Sequence, residues 1–423
     1  MSLGTDIIRI SRIEKLIESR IPSKIYTDCE ADYISSAPCS AQTAAGIFAA
    51  KEAVLKALGK GISLPLKDVC IMHRGDGSPY VRLTGAVLDY AKNLGITDAE
   101  ISISHDGEYA VAYAHLTEDN KLSVYNRVMD KLKDAPANAI CAKNLLKPRK
   151  ENTHKGDYGR LYAVAGSAGL TGAAYLACTS ALRCGSGLIT LACPGELNSI
   201  MECKLTEVMT KPLYSTDGHI SQNAIGVILS DLKKSDVCLF GPGLSRNEDI
   251  TALTEVTIAN CPVPMVIDAD GLYALSKNTD VLYDAKQSII LTPHIGEFSY
   301  LTGTDTAEIL KDTEKHGLQF AKKYGVTLVL KSHRTIVCTP EGECFVNMLG
   351  NPGMATGGTG DVLSGCIASF VGQGLGVNDA SKLGVYIHSL ASDMASEEMG
   401  EYSLTPSDII DYIPYAIQRS VGK

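Results

Sequence analysis

The run Gly350–Asp361 (GNPGMATGGTGD) holds five glycines, two threonines and a closing carboxylate, and opens into the apolar helical pattern of residues 362–370. Glycine lets a backbone approach a ligand closely and adopt positive φ. The first amides of a helix lack intrahelical partners and form an anion site. Asp361 stands in that first turn, where a carboxylate can act as a base. The run therefore predicts phosphate chemistry, with the amides of Gly358, Thr359 and Gly360 facing the anion. A second set lies near the N-terminus: Asp6 on the strand-like stretch 3–8, Glu52 and Lys56 on the helical stretch 48–59, and His105 closing the strand-like stretch 100–105. Residues four apart share a helix face, so Glu52 and Lys56 alone read as an exposed ion pair. Ala49, Ala50 and Ala53 nevertheless leave that helix slim around the pair, which suits close approach of a ligand.

These residues need two different frames. From residue 139 onward, short apolar runs at 161–165, 187–191, 237–240, 265–267, 288–291 and 328–330 alternate with helical stretches such as 172–184, 249–260 and 306–324. Near-continuous apolar strands separated by helices predict a doubly wound α/β sheet with crossover connections. Polar residues follow these strands: Gly166-Ser167, Gly241-Pro-Gly243, Asp268-Ala-Asp270, Thr292-Pro-His294 and Lys331. Ligands bind outside the carboxyl ends of such strands, so these segments should converge with the glycine run on one crevice. Before residue 118 the pattern is α+β, with strands at 3–8, 100–105 and 109–116 and a helix expected from Ser11 as its N-cap. Residues 119–138 read as a polar connector with a short helix around 124–133, and 147–157 as a basic, polar lead into the second half.

The bulk numbers are compatible with this division. A chain of 423 residues is long for one core. A net charge of −9 and a sequence pI near 5.5 argue against a general nucleic-acid binder. Thirteen cysteines without a C-x-x-C pair read as buried free thiols rather than disulfides or a metal site. No basic-then-apolar leader opens the sequence, and no uncharged apolar run reaches membrane length. A cytoplasmic protein is expected, without nucleic-acid or membrane partners.

Residues 139–423 resemble the ADP/ATP-dependent NAD(P)H-hydrate dehydratases of the ribokinase-like superfamily. The resemblance rests on His154–Gly159, Gly166-Ser167, Gly241–Gly243, residues 267–271, Leu291–His294 with Glu297, and Gly350–Asp361. It implies a three-layer α/β/α domain that dehydrates the S form of hydrated NADH or NADPH, with ADP (or ATP) as phosphoryl donor. It further implies that Ala173, Gly243, His294 and Asp361 contact the hydrated dinucleotide. Lys331, Ser332, His333, Arg334, Thr335, Gly358, Thr359 and Gly360 would hold the nucleotide, and Asn351 would orient phosphate or a metal-bound water. Asp268 and Asp270 are expected to be structural, or linked to metal through water. Ser332 departs from the glycine usual after that lysine and leaves the nucleotide preference open. A thiazole or pyrimidine alcohol kinase of the same fold is the alternative, disfavoured by the Thr-Pro-His and Gly-Asn-x-Gly-Met-Ala segments.

Residues 1–118, through Gly4–Asp6, Phe48–Gly59 and Ser102–His105, resemble the holo-acyl-carrier-protein synthases. That resemblance implies transfer of 4′-phosphopantetheine from coenzyme A to a serine of acyl carrier protein, with Asp6 and Glu52 binding Mg²⁺. Lys56 and His105 are then expected beside the phosphates, and a homo-oligomer (relatives are trimers) is implied. Arg9, Arg12, Lys15, Arg20 and Lys24 make the first helix locally basic, as an acidic carrier would require. Ile47 departs from the arginine found in many relatives. A non-catalytic module that recruits carrier protein or coenzyme A is the alternative for this half.

Overall fold

The computed structural model describes residues 2–421 except 131, 133, 134, 137, 138, 141, 142 and 147. Parts of the expected connector, the end of its helix at Lys133, and Lys147 of the basic lead lie outside the described residues. The chain divides into two compact units, Met1–Arg127 and Val128–Lys423.

The first unit runs β1 (Ser2–Arg9), α1 (Ile10–Ile17), α2 (Asp28–Ser36), α3 (Ser40–Ala57), β2 (Val69–His73), β3 (Pro79–Leu83), α4 (Gly85–Asn93), β4 (Ile96–Asp106) and β5 (Tyr109–Glu118). Helix α5 (Asn120–Asp130) follows and straddles the division; Asn126 ties it to α4 by donating to the Lys92 carbonyl at 3.0 Å. Strands β1, β5 and β4 form an antiparallel sheet in that order, and β2 pairs with β3. Helix α3 lies on the sheet because its contact face is alanine: Ala49, Ala50 and Ala53 are fully buried. A Cβ at Gly4 would run into the Ala53 carbonyl, so this strand position requires glycine. The small residues 40–47 extend α3 eight residues before the expected start, packing rather than propensity deciding its length. Ser11 does not cap α1, contrary to expectation. The helix leaves β1 directly at Ile10, whose N–H bonds the Glu108 carbonyl at 2.8 Å and needs no side-chain cap.

A buried ion pair pins α2 to α3. Lys51 Nζ and Glu30 Oε2 are 2.8 Å apart with no side-chain exposure. Lys51 also donates to the Val69 carbonyl at 2.6 Å, and Glu30 accepts from the Ile71 N–H at 2.7 Å and the Thr27 N–H at 2.8 Å. Burial pulls the Lys51 ammonium below its ordinary pKa, while Glu30 opposes that pull. Each charge has partners, which is the condition for an ion pair to persist in a core.

The second unit contains β6 (Arg160–Val164), α6 (Thr171–Arg183), β7 (Leu188–Pro194), α7 (Asn198–Lys204), β8 (Met209–Leu213), the short pair β9 (Ser215–Thr216) and β10 (His219–Ile220), α8 (Ile225–Leu232), β11 (Val237–Phe240), α9 (Glu248–Asn260) and β12 (Met265–Ile267). It continues with α10 (Asp270–Leu275), β13 (Ile289–Leu291), α11 (Ile295–Thr302), α12 (Thr306–Lys311), α13 (Thr313–Tyr324), β14 (Thr327–Leu330), β15 (Ile336–Cys338), β16 (Cys344–Val346), α14 (Thr359–Gly372), α15 (Val377–Met399) and α16 (Pro406–Ser420). Among the described residues, nine strands form one sheet in the order β16-β15-β14-β13-β12-β11-β6-β7-β8. Seven of them, β6 to β8 and β11 to β14, run parallel, as the apolar runs predict. β15 and β16 add an antiparallel edge that the reading missed, because the connections before and between them are too short for a crossover. The single helix expected at 306–324 is two. Asp312 leaves helical φ/ψ, and its side chain accepts from the Lys315 N–H to start α13. The strand order reverses between β6 and β11, the kind of point where doubly wound sheets open a crevice.

Candidate functional sites

In the second unit the strand ends meet as the punctuation predicts. At the reversal, the loops after β6 and β11 are joined by the Gly166 N–H donating to the Pro242 carbonyl at 2.9 Å. Gly243 adopts φ of 63°, and a Cβ there would lie 3.0 Å from the Ala173 Cβ at the start of α6. Gly243 and Ala173 are therefore neighbours on one wall. Next along the sheet, the Asp268 N–H donates to the Phe240 carbonyl at 3.0 Å, and a Cβ at Gly241 would collide with the Asp268 carbonyl, so the β11 and β12 loops are in close contact.

The charged floor comes from β12, β13 and β14. Lys331 Nζ lies 2.9 Å from Asp268 Oδ1 and 3.9 Å from Glu297 Oε2. The Lys331 N–H donates to the Pro293 carbonyl at 2.8 Å, which binds this floor to the Thr-Pro-His turn. His294 is the N-cap of α11: its Nδ1 accepts from the Glu297 N–H at 3.2 Å, while Glu297 accepts from the His294 N–H at 2.9 Å. Burial and the Lys331 charge pull the imidazole below its ordinary pKa. Burial lowers the Lys331 ammonium as well, but Asp268 and then Glu297 outweigh it and hold the ammonium above its usual value.

The glycine run closes over this floor. Gly358 is the left-handed N-cap of α14 at φ of 100°, and a Cβ there would strike Leu176 of α6. A Cβ on Gly360 would stand 3.0 Å from Lys331 Nζ and 3.9 Å from Asp268 Oδ2. Asp361 follows in the first turn, its carboxyl pushed up to about 7 by burial first and the Asp268 charge second, with Lys331 opposing. The hydroxyl of Thr359 is buried there without a hydrogen-bond partner, and so is that of Ser167 after β6. Gly358, Thr359, Gly360, Asp361, His294 and Lys331 thus gather around one charge cluster, with Ala173 and Gly243 along its wall.

Other expected members stand differently. Ser332 turns its hydroxyl back onto the Arg334 carbonyl at 2.8 Å, His333 and Arg334 are exposed, and Thr335 accepts from the Asn347 N–H at 2.9 Å. Asp270 accepts from the Ser245 N–H at 2.9 Å and the Arg246 Nε at 3.1 Å, a loop-holding role. Asn351 is not free to orient a phosphate: its amide donates to Asp393 at 2.8 Å and Ser392 at 3.1 Å, and its carbonyl accepts from Gly353. The sequence reading missed Asp393, fully buried on α15, which also accepts from the Gly350 N–H at 3.1 Å and so roots the glycine run. Its signal was an aspartate inside the small, apolar segment 389–395.

In the first unit, Asp6 and Glu52 face each other across the β1–α3 contact. Burial raises the Glu52 carboxyl and the Asp6 charge raises it further, with Lys56 opposing. Lys56 does not pair with Glu52 four residues away; it reaches across to Asp6 Oδ1 at 2.7 Å and the Thr5 carbonyl at 3.3 Å. His105 is held elsewhere on the sheet, its Nε2 3.1 Å from the Gln42 carbonyl and against Gly46. Ile47 is a core residue, so no surface contact starts from that position. A carboxylate raised by burial and by a second carboxylate beside it is a donor set that a divalent cation would relieve. Among the described residues no group of three or more metal-ligating side chains forms. Two carboxylates completed by water and substrate phosphates is the pattern that suits Mg²⁺.

Each unit by itself is matched by known proteins. Residues 161–415 match the NAD(P)H-hydrate dehydratase family, and residues 2–114 match the 4′-phosphopantetheinyl transferase superfamily. The chain belongs to the NAD(P)H-hydrate dehydratase family. It is 42% identical over 274 residues to the bifunctional NAD(P)H-hydrate repair enzyme of Moorella thermoacetica, a match over 64% of this chain and 52% of that protein. The chain thus spans about half the length of that relative. It is 34% identical over 275 residues to the ADP-dependent (S)-NAD(P)H-hydrate dehydratase of Staphylococcus aureus, covering 64% of this chain and 93% of that protein. The crystal structure of the ADP/ATP-dependent NAD(P)H-hydrate dehydratase of Bacillus subtilis, co-crystallised with ATP and Mg²⁺, superposes with a TM-score of 0.57 at 27% identity, covering 66% of this chain and 96% of that one. The alcohol-kinase alternative is not favoured by these matches.

Proposed function

We propose that the chain is bifunctional: residues 1–118 transfer 4′-phosphopantetheine from coenzyme A to acyl carrier protein, and residues 139–423 dehydrate the S form of hydrated NADH or NADPH at the expense of ADP or ATP. The observation that carries the second reading is Asp361, a carboxyl raised to about 7 at a helix start above a fixed ammonium. Hydroxide is a poor leaving group, so the ring hydroxyl must first be phosphorylated. Asp361 takes the hydroxyl proton as that oxygen attacks the terminal phosphorus. The amides of Gly358, Thr359 and Gly360 and the Lys331 ammonium stabilise charge on the transferring group. The ring nitrogen's lone pair then expels phosphate, and loss of a proton from the adjacent ring carbon restores the reduced nicotinamide. Ala173, Gly243 and His294 bind the hydrated dinucleotide, and residues 331–335 the nucleotide. Hydrated NADH with ADP or ATP should regain the near-ultraviolet absorbance of NADH. Asp361→Asn should bind nucleotide but not restore it; unchanged turnover would remove Asp361 from the base role.

In the first unit, Asp6 and Glu52 bind Mg²⁺, which when present supplies charge neutralisation for the departing 3′,5′-ADP. Lys56 orients Asp6 through its 2.7 Å contact. The paired carboxylates support catalysis over a merely recruiting module. Apo-carrier protein with coenzyme A and Mg²⁺ should gain the mass of phosphopantetheine; no gain with a folded unit would sink the synthase reading. This unit also self-associates in our reading. The sheet face opposite α3 exposes Leu3 and Ile7 of β1 with Val111 and Tyr113 of β5, an apolar patch on a surface where polar residues are expected. Light scattering on Ile7→Asp should report a smaller particle than the parent chain, and an equal mass would refute the contact. No described helix is long and apolar enough to cross a membrane.

A further inference from the structure

Two thiols outside both sites face each other across the antiparallel edge of the second unit's sheet. Cys338 on β15 and Cys344 on β16 are register partners. The Asn347 N–H donates to Thr335 and the Thr339 N–H to Glu343, so the pairs 335/347 and 339/343 are hydrogen-bonded and 338/344 is not. Side chains stand closest at such positions, whose Cα separation of about 4.5 Å lies within the range a disulfide spans. The two sulfurs are 2.7 Å apart. β16 is the outermost strand, so Cys344 is half-buried whereas Cys338 is buried. The charges facing the pair differ. Lys322 of α13 lies beside the turn, where a Cβ on Gly342 would be 2.8 Å from its Nζ, and Lys382 of α15 covers the Phe345 ring at 3.7 Å. Cys338 is held well above the usual thiol range by its contact with Cys344, by burial and by the Glu314 charge. Cys344 is therefore the thiol that meets an oxidant, and Cys338 the one that resolves it.

We propose that Cys338 and Cys344 form a dithiol that hydrogen peroxide closes to a disulfide, clamping the hairpin between the two nucleotide-site segments. The Cys344 sulfur attacks one peroxide oxygen; the S–O bond forms, the O–O bond breaks and water leaves. The Cys338 sulfur then attacks the sulfenic sulfur, its proton departs with the hydroxyl as a second water, and the S–S bond forms. Two thiols lose two hydrogens in all while one peroxide is reduced. The location gives the reaction its consequence. β15 begins directly after Lys331–Thr335, and β16 ends directly before Asn347. The Asn347 N–H holds Thr335, and its side-chain amide donates to the Leu349 carbonyl at the root of the glycine run. That consequence rests on the nucleotide assignment above; the sulfur chemistry does not. Among the described residues two other thiol pairs touch, Cys184 with Cys366 and Cys238 with Cys261, but all four of those cysteines are buried.

The test treats the reduced full chain with hydrogen peroxide, alkylates it in denaturant and maps the tryptic peptide 335–382, which carries Cys338, Cys344 and Cys366. The expected product has lost two hydrogens and carries alkylated Cys366, before Cys184, Cys238 or Cys261 oxidises. Chymotryptic cleavage after Phe345 should leave Cys338 and Cys344 joined in one piece. The melting temperature of the second unit should rise by about 4 °C, as closing a short loop implies, and return on reduction. Cys344→Ser should abolish both changes. Three alkylated cysteines in that peptide after exposed Cys29 and Cys203 have oxidised would overturn the proposal. So would over-oxidation of Cys344 without pairing. Both readouts follow sulfur and stability, so failure of the dehydratase assay would leave them interpretable.

Discussion

Asp361→Asn should stabilise the second unit while abolishing its proposed activity, and the stabilisation should depend on pH in a defined way. The Asp361 carboxyl is raised from 3.8 to about 7, a shift of about 3 units, or about 4 kcal/mol favouring the neutral form. The native state therefore keeps a proton that the unfolded chain releases above pH 4. Stability must fall as pH rises through that window and level off above 7. An uncharged asparagine removes this dependence. The variant-minus-parent difference should grow by about 3 kcal/mol between pH 5 and pH 8, which corresponds to about 4–5 °C for a unit of this size. Calorimetric melting of both proteins across pH 5–9, with turnover measured alongside, reads it directly. A difference that stays flat with pH would mean that the carboxyl is not held protonated in the folded state, and the case for a tuned base would lose its physical support.

Other consequences are more local. Asp268→Asn removes the charge that, after burial, does most to hold Asp361 up, so the acid limb of the kcat/KM profile should move below 7; an unmoved limb would refute the coupling. Gly360→Ala would place a Cβ 3.0 Å from Lys331 Nζ. Shifting that ammonium by a few tenths of an ångström against Asp268 should raise the nucleotide KM severalfold and change stability by less than about 1 kcal/mol, checked by initial rates and melting. Lys51→Met strands the buried Glu30 carboxylate and should destabilise the first unit by about 3–5 kcal/mol, read by denaturant titration of the full chain.

The parts legible in the sequence were those whose physics is local. Residues 237–240 and 265–267 are strands in the structure because a short, wholly apolar run between polar turns has few alternatives in a sheet buried on both faces. The polar segments after those strands were informative for the same reason, since strand ends in a parallel sheet share one edge. What depended on long-range partners was not legible. Lys56 has an acidic residue four positions away, yet it bonds Asp6, fifty residues distant, because β1 runs beneath α3. Asn351 looked chemically free until Asp393 supplied its partner from a helix later in the chain. The hairpin of β15 and β16 went unseen because strands of three residues have no measurable period. Asp312 interrupts 306–324 by capping, a choice that competes with helix continuation and leaves no break in hydrophobicity.

The two units meet the same electrostatic problem with different means, and the second offers a further test. In the first, burial and the Asp6 charge raise the cost of ionising Glu52, which a divalent cation would offset. In the second, Lys331 is built in, yet Asp268, Glu297, Asp270 and Asp361 outnumber it and Arg246. A nucleotide's phosphates add negative charge to a cluster already in excess, and like charges disfavour ionisation of a buried carboxyl. The acid limb of kcat, which reports the bound enzyme, should therefore lie above the limb of kcat/KM, which reports the free enzyme near 7. Measuring both profiles with saturating hydrated NADH and ADP separates them. If the kcat limb lies at or below the free-enzyme limb, the phosphates bind already neutralised, and Lys331 is not the principal cation of the site.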